Sequence, residues 1–367
     1  MQNIKVKDII SCLEEAAPPS FQEDYDNSGL QVGDYNADVS GILITLDVTP
    51  EIVEEAHRNN CNLIISHHPV TLSGIKKMTG NSFPVQILTE AIRNNISIYA
   101  AHTNIDSVKN GVSGILAKKL DLINCEILFP RKNLLLKLVT FVPNDYADKV
   151  RNAIFEAEAG HVGNYDCCSY NIEGEGTFRG DDSTNPFVGE KGKPHTEKEV
   201  RIETIVPDFL KNAVLKALLE THPYEEPAYD FYMLENSWDK VGFGIIGELK
   251  EAKTPTDFLK YLKSVTQTGC IRYTQTSVKQ IKRVALCGGS GSFLLQKALN
   301  AKADVFISGD FKYHQFFETS KGMMIADIGH YESEQFTKEL FFEIVTKKFP
   351  NFAVRLSEIN SNPIKYY

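Results

Sequence analysis

The sequence predicts an α/β fold in which two mainly parallel halves of a split domain are interrupted by a ferredoxin-like α+β insert. Three patterns carry that expectation. Short apolar runs alternate with amphipathic helical segments over the first third of the chain, and the same rhythm returns in the last third. The middle reads β-α-β-β-α-β, the order of a ferredoxin-like plait. The boundaries fall at 1–130 and 237–367 for the two halves and at 131–236 for the insert.

In the first third the strands are GILITLDVT, CNLIISHHP and ISIYAAHTN, separated by the helices PEIVEEAHRNN and PVQILTEAIRNN. The middle follows as LLKLVTFVP, a helix through DYADKVRNAIFEAE, a hairpin-like YDCCSYNIEGEGTFRG, the strand VRIETIVP, a helix through DFLKNAVLKALLE, and AYDFYML. Within it RGDDSTNPFVGEKGKPHTEKE has the Gly, Pro and polar content of a mobile loop. In the last third KRVALCGGSG leads to the helix SFLLQKALNAKA, then ADVFISGD, a further helical stretch, MMIADIGH, a long helix from about Ser333 to Lys348, and FAVRLSE. The outer thirds echo each other. CNLIISHH matches ADVFISGD, and the strand after each ends in His-x-x-x-acid: His102 with Asp106, then His330 with Glu334.

The 367 residues, 42% of them hydrophobic, suffice for two or three domains with full cores. A net charge of −9 without a compensating basic stripe argues against binding nucleic acid. Seven cysteines with no CxxC pair fit reduced thiols in a cytoplasm, and no apolar run approaches the ~20 residues of a membrane span.

The chemistry gathers at strand ends, where open α/β sheets bind ligands. His67 and His68 are adjacent, so in extended backbone their imidazoles diverge and suit two neighbouring ions better than one. Taken alone, such a pair is more often two exposed loop histidines. His330 and Glu334 are four residues apart and project from one side of a first helical turn, although an N-terminal acid beside an unrelated histidine is the ordinary reading of that spacing. Asp106, in AHTNID, adds a second carboxylate. This mixed nitrogen and oxygen set admits Zn, Mn, Fe(II), Co or Ni and argues against a closed thiolate zinc site.

SHHP, HTNID, GGSG and GHYESE, in that order around an insert containing HPYEEPAYD, resemble the dinuclear-metal-centre family of GTP cyclohydrolase type 2 homologues over nearly the whole chain. The resemblance implies two divalent ions held by His67, His68, Asp106, His330 and Glu334, with Glu334 bridging. It also implies a toroidal homohexamer and an insert similar to the PII and CutA-like trimeric proteins.

Several residues carry smaller expectations. His102 is either a partner orienting a ligand, a proton shuttle, or a satisfied histidine at a strand end. Asp47 either hydrogen-bonds near the metals or caps the helix that starts at Pro50. GGSGS, Gly288 to Ser292, could receive a phosphate on its N–H groups but lacks the P-loop ending, so a tight strand-to-helix turn is the plainer reading. Glu225 and Glu226 are expected to pack the insert or its trimer contacts. The function expected is metal-dependent hydrolysis of a nucleotide or phosphoester; the alternative is a non-enzymatic metal-binding regulator or scaffold.

Overall fold

The computed structural model describes residues 3–80, 82–319 and 322–367. Two compact units emerge: the chain up to Pro130 together with Asp239–Tyr367, and Arg131–Trp238.

The first unit contains two sheets. One runs in the order β1-β4-β3-β2-β15, from β1 (Gly29–Val32), β2 (Ile42–Thr45), β3 (Leu63–Ser66), β4 (Ser97–Ala100) and β15 (Val354–Leu356). Only the β1–β4 pairing in it is antiparallel. The other sheet has the order β11-β14-β13-β12-β10-β5. Its strands are β5 (Ile123–Lys132), β10 (Ser237–Lys253), β11 (Arg272–Tyr273), β12 (Ile281–Leu286), β13 (Val305–Ser308) and β14 (Met324–Asp327). Here β12, β13 and β14 are parallel, while β10 and β11 run antiparallel to their neighbours β12 and β14. The four residues of β2, β3, β4, β13 and β14 are all buried, because a parallel strand covered on both faces has no solvent side to alternate with.

The echo between the outer thirds is therefore topological. In each sheet three successive parallel strands lie side by side, and a strand that precedes them in the chain adds antiparallel beside the third. The final strand departs from expectation: FAVRLSE joins the first sheet, pairing with β2. The helix before it, Thr337–Lys348, packs on helix Val6–Ala16 and delivers the chain to that open edge, with Phe341 and Val345 buried against Ile9, Leu13 and Ile42.

The long helix expected from Ser333 is two helices, His330–Glu334 and Thr337–Lys348, with Gln335 and Phe336 between them. Helix Val6–Ala16, strand β10 and helix Pro255–Thr266 had no counterpart in the expected element order. The last had a readable signal, since Thr254 accepts a hydrogen bond from the Asp257 N–H and Pro255 opens the helix.

The second unit has one antiparallel sheet in the order β7-β8-β6-β9: β6 (Leu135–Pro143), β7 (Ser169–Phe178), β8 (His195–Pro207) and β9 (Tyr229–Leu234). Helices Ala147–Glu156 and Lys211–Thr221 cover one face, burying Val150, Ile154, Val214 and Leu218 against Leu138 and Ile202. This is the ferredoxin-like plait. The stretch read as a mobile loop is shorter than expected: from His195 onward it is strand β8.

Candidate metal centre

The C-terminal ends of the parallel strands in the first unit supply the site. His67 and His68 follow β3 directly. His102 caps a one-turn helix, Thr103–Asp106, after β4, and His330 opens another, His330–Glu334, after β14. The second turn begins at Gly329, whose φ of +94° and position beside Glu332 exclude a side chain; a β-carbon there would lie 2.3 Å from Glu332 Oε2.

These residues converge. His67 Nε2 lies 3.7 Å from Asp106 Oδ1 and 3.7 Å from Glu334 Oε1. His68 Nε2 and His330 Nε2 each lie 3.1 Å from Glu334 Oε2 and 3.4 Å from one another. Three overlapping groups result whose ligand atoms all fall within 4.8 Å of each other: His67, Asp106 and Glu334; His68, His330 and Glu334; and His67, His68 and His102. The first two share Glu334, one carboxylate oxygen facing each. Adjacent His67 and His68 each share a separate group with Glu334, and His102 joins both in the third.

Protons alone do not satisfy this arrangement. His67 is fully buried and its Nδ1 donates to the Ala101 carbonyl at 2.9 Å, which leaves Nε2 as a lone pair aimed at two carboxylates. His67 Nε2 and Glu334 Oε2 are buried without a hydrogen-bond partner. Buried ligand atoms left without hydrogen-bond partners where three donor groups converge fit a cation between them. The donor set, nitrogen and oxygen without sulfur, suits a divalent transition ion.

Carboxylates hold three of the four imidazoles from behind. Asp47 Oδ1 lies 2.6 Å from His68 Nδ1, Asp26 Oδ1 lies 2.7 Å from His102 Nδ1, and Asp310 Oδ2 lies 2.7 Å from His330 Nδ1. Each pairing fixes a tautomer and turns Nε2 toward the cluster. Asp47 thus serves His68, with Ser361 Oγ donating to its other oxygen, and Thr49 caps the helix at Pro50. The Asp26 side chain is buried and also accepts from Ser28 and Thr103; burial alone would raise its carboxyl, but the bonds from His102, Thr103 and Ser28 hold it far below the usual range. Asp26 and Asp310 were missed in the sequence. Asp310 had a signal, since it occupies the place of His68 in the echo of ISHH and ISGD.

Charge in the cluster follows the same contacts. Burial disfavours the His68 cation, but Asp47 and Glu334 outweigh it and push its pKa up to about 10. Against the same burial, Glu334 and Asp310 raise His330 to about 9. Burial, then the charge of Glu334, raises Asp106. Burial works to raise Glu334 too, yet the imidazoles of His67, His330 and His68 hold it well below the usual carboxylate range.

The GGSGS turn is occupied by protein. The N–H groups of Gly288, Gly289 and Gly291 donate to the hydroxyls of Ser113, Ser333 and Ser308 at 3.2, 2.8 and 2.9 Å. Gly289, with φ +60°, makes the close approach: a β-carbon would sit 2.1 Å from Glu334 Oε1. Gly289→Ala is expected to displace that carboxylate and weaken metal retention by more than about tenfold, read as metal per chain after dialysis; unchanged retention would show that this turn does not position Glu334. Glu225 and Glu226 belong to no metal-capable group among the described residues, and Glu225 accepts from the Asn185 N–H at 2.8 Å.

Fold and site together define an α/β protein with a His, Asp and Glu cluster that could hold metal. The chain belongs to the Duf34/NIF3 (NGG1p interacting factor 3) family, whose model matches residues 4–363. It is 36% identical over 363 residues to the "GTP cyclohydrolase 1 type 2 homolog" of Halalkalibacterium halodurans, covering 98% of each chain. To the Bacillus subtilis protein of the same name it is 33% identical over 371 residues, covering 100% of this chain and 99% of the other. Among solved structures, a Bacillus cereus protein related to NIF3 superposes with a TM-score of 0.86 at 36% identity, and Staphylococcus aureus protein SA1388 with 0.80 at 30%, each over the full length of both chains. No helix among the described residues is long and apolar enough to cross a membrane.

Proposed function

We propose that the cluster binds two divalent ions and that the protein is a metal-dependent hydrolase acting on a nucleotide or phosphoester. One observation carries the reading: Glu334 presents its two oxygens to two different groups, one with His67 and Asp106, the other with His68 and His330. In this reading those five residues are the ligands and Glu334 is the bridge. A bound divalent pair supplies Lewis acidity, which acidifies water toward neutrality and polarises a carbonyl or phosphoryl oxygen.

The chain supplies the rest. The carboxylates of Asp47 and Asp310 keep Nδ1 protonated on His68 and His330, so that Nε2 of each is free to ligate. His102, held by Asp26 at 2.7 Å, turns its Nε2 toward His67 and His68 and is placed to take or give a proton beside the ions. The nucleotide assignment draws on the name of the relatives, "GTP cyclohydrolase 1 type 2 homolog". The second reading is a non-enzymatic metal-binding regulator or scaffold.

The test is turnover of a panel of nucleotides and phosphoesters by metal-loaded protein, with light scattering for the homohexamer expected of the assembly. Hydrolysis that disappears with chelator and in His102→Ala supports the hydrolase. Full metal loading without turnover of any substrate favours the regulator.

A further inference from the structure

The second unit holds a half-open cavity of about 590 Å³, a usual size for a small-molecule site. It lies on the face of the sheet opposite the two helices. Its floor is opened by two glycines of β7: Gly174 stands opposite Glu199 in the β7–β8 register, and Gly176 opposite Glu197. Glu199 points into this space and is only 8% exposed. Its Oε1 accepts from Tyr224 Oη at 2.9 Å, while Oε2 lies over Gly176, 2.2 Å from where a β-carbon would be.

Aromatic rings form the walls. Phe178 and Phe187 lie with their centroids 5.8 and 6.3 Å from that of Tyr224. The Asn185 N–H donates to Glu225 at 2.8 Å, which ties the loop carrying Phe187 to the segment after Tyr224. Glu199, Glu225 and Glu226 line the cavity against two arginines, Arg179 and Arg201, and Arg201 is already paired with Glu203 at 2.8 Å. A buried carboxylate among rings repels an anion and is stabilised by a cation that also packs on aromatic faces.

We infer that this cavity is a binding site for a small organic cation, an ammonium or guanidinium group carried on an apolar body, with Glu199 as its counter-ion. The site lies wholly within the second unit and does not rest on the function proposed for the metal centre.

The experiment titrates full-length protein with phenethylammonium and, separately, with its neutral analogue 2-phenylethanol, by calorimetry. The amine is expected to bind at least about tenfold more tightly than the alcohol. Glu199→Gln is expected to reduce amine affinity by about tenfold. Gly174→Leu should abolish binding by filling the cavity; a β-carbon at Gly174 meets nothing within 4 Å, so this variant tests the site without straining the fold. Melting curves matching wild type confirm that both variants are folded. Equal affinity for amine and alcohol, undiminished binding in either folded variant, or no binding of the amine at millimolar concentration would each overturn the inference.

Discussion

Glu334→Gln is expected to empty both halves of the metal centre at once, whereas His330→Ala empties one. Glutamine keeps the volume of the buried side chain but removes the anion that His67 Nε2 meets at 3.7 Å and that His68 and His330 meet at 3.1 Å. Because each carboxylate oxygen faces a different group, its loss strikes both together, and affinity for each ion should fall by more than about a hundredfold. His330 touches only the group it shares with His68, so His330→Ala should leave the ion between His67, Asp106 and Glu334 in place. Elemental analysis after dialysis reads both results. Loss of a single equivalent in Glu334→Gln, or of both in His330→Ala, would contradict the shared-carboxylate geometry.

Metal affinity should climb steeply with pH, while the metal-free protein becomes less stable over the same range. With pKa values pushed up to about 10 and about 9, His68 and His330 carry protons in metal-free protein at neutral pH, and an ion ligated by both must displace them. Apparent affinity for that ion then rises by about tenfold per pH unit for each proton released, up to pH values near 9. For stability the sign reverses. Both folded-state values lie above the ~6.5 of an unfolded histidine, so the stabilisation is fully present below about pH 6.5 and is lost as pH rises through 9 to 10. His330 is 35% exposed, and solvent screening reduces its share. Raised Asp106 acts in the same direction at lower pH. Melting temperatures of chelated protein between pH 7 and 10, beside metal titrations at each pH, check both trends. Affinity independent of pH would mean that the imidazoles do not ligate.

Much of this architecture was legible because it is written in local patterns. Apolar runs of parallel-strand length marked β2, β3, β4, β13 and β14, and the insert's element order gave the plait. His67 and His68 could be picked out because they follow a strand directly, and Asp106, His330 and Glu334 because they belong to His-x-x-x-acid pairs after the next strands; the structure brings all five into overlapping groups. What stayed hidden depends on distance along the chain. Asp26 meets His102 across 76 residues and sits in a loop that looks like any other acidic turn. The place of FAVRLSE beside β2 is set by how helix Thr337–Lys348 packs, which its own sequence does not state. The plainer reading of GGSGS as a tight strand-to-helix turn holds, but the serines that occupy its N–H groups, Ser113, Ser308 and Ser333, all lie outside the motif.

The most direct test of the account is to strip the protein with chelator, titrate it with a divalent transition ion under calorimetry, and measure metal content by elemental analysis in the same sample. The account expects saturation at two ions per chain for wild type. Saturation at one ion, or no binding at all, would contradict it.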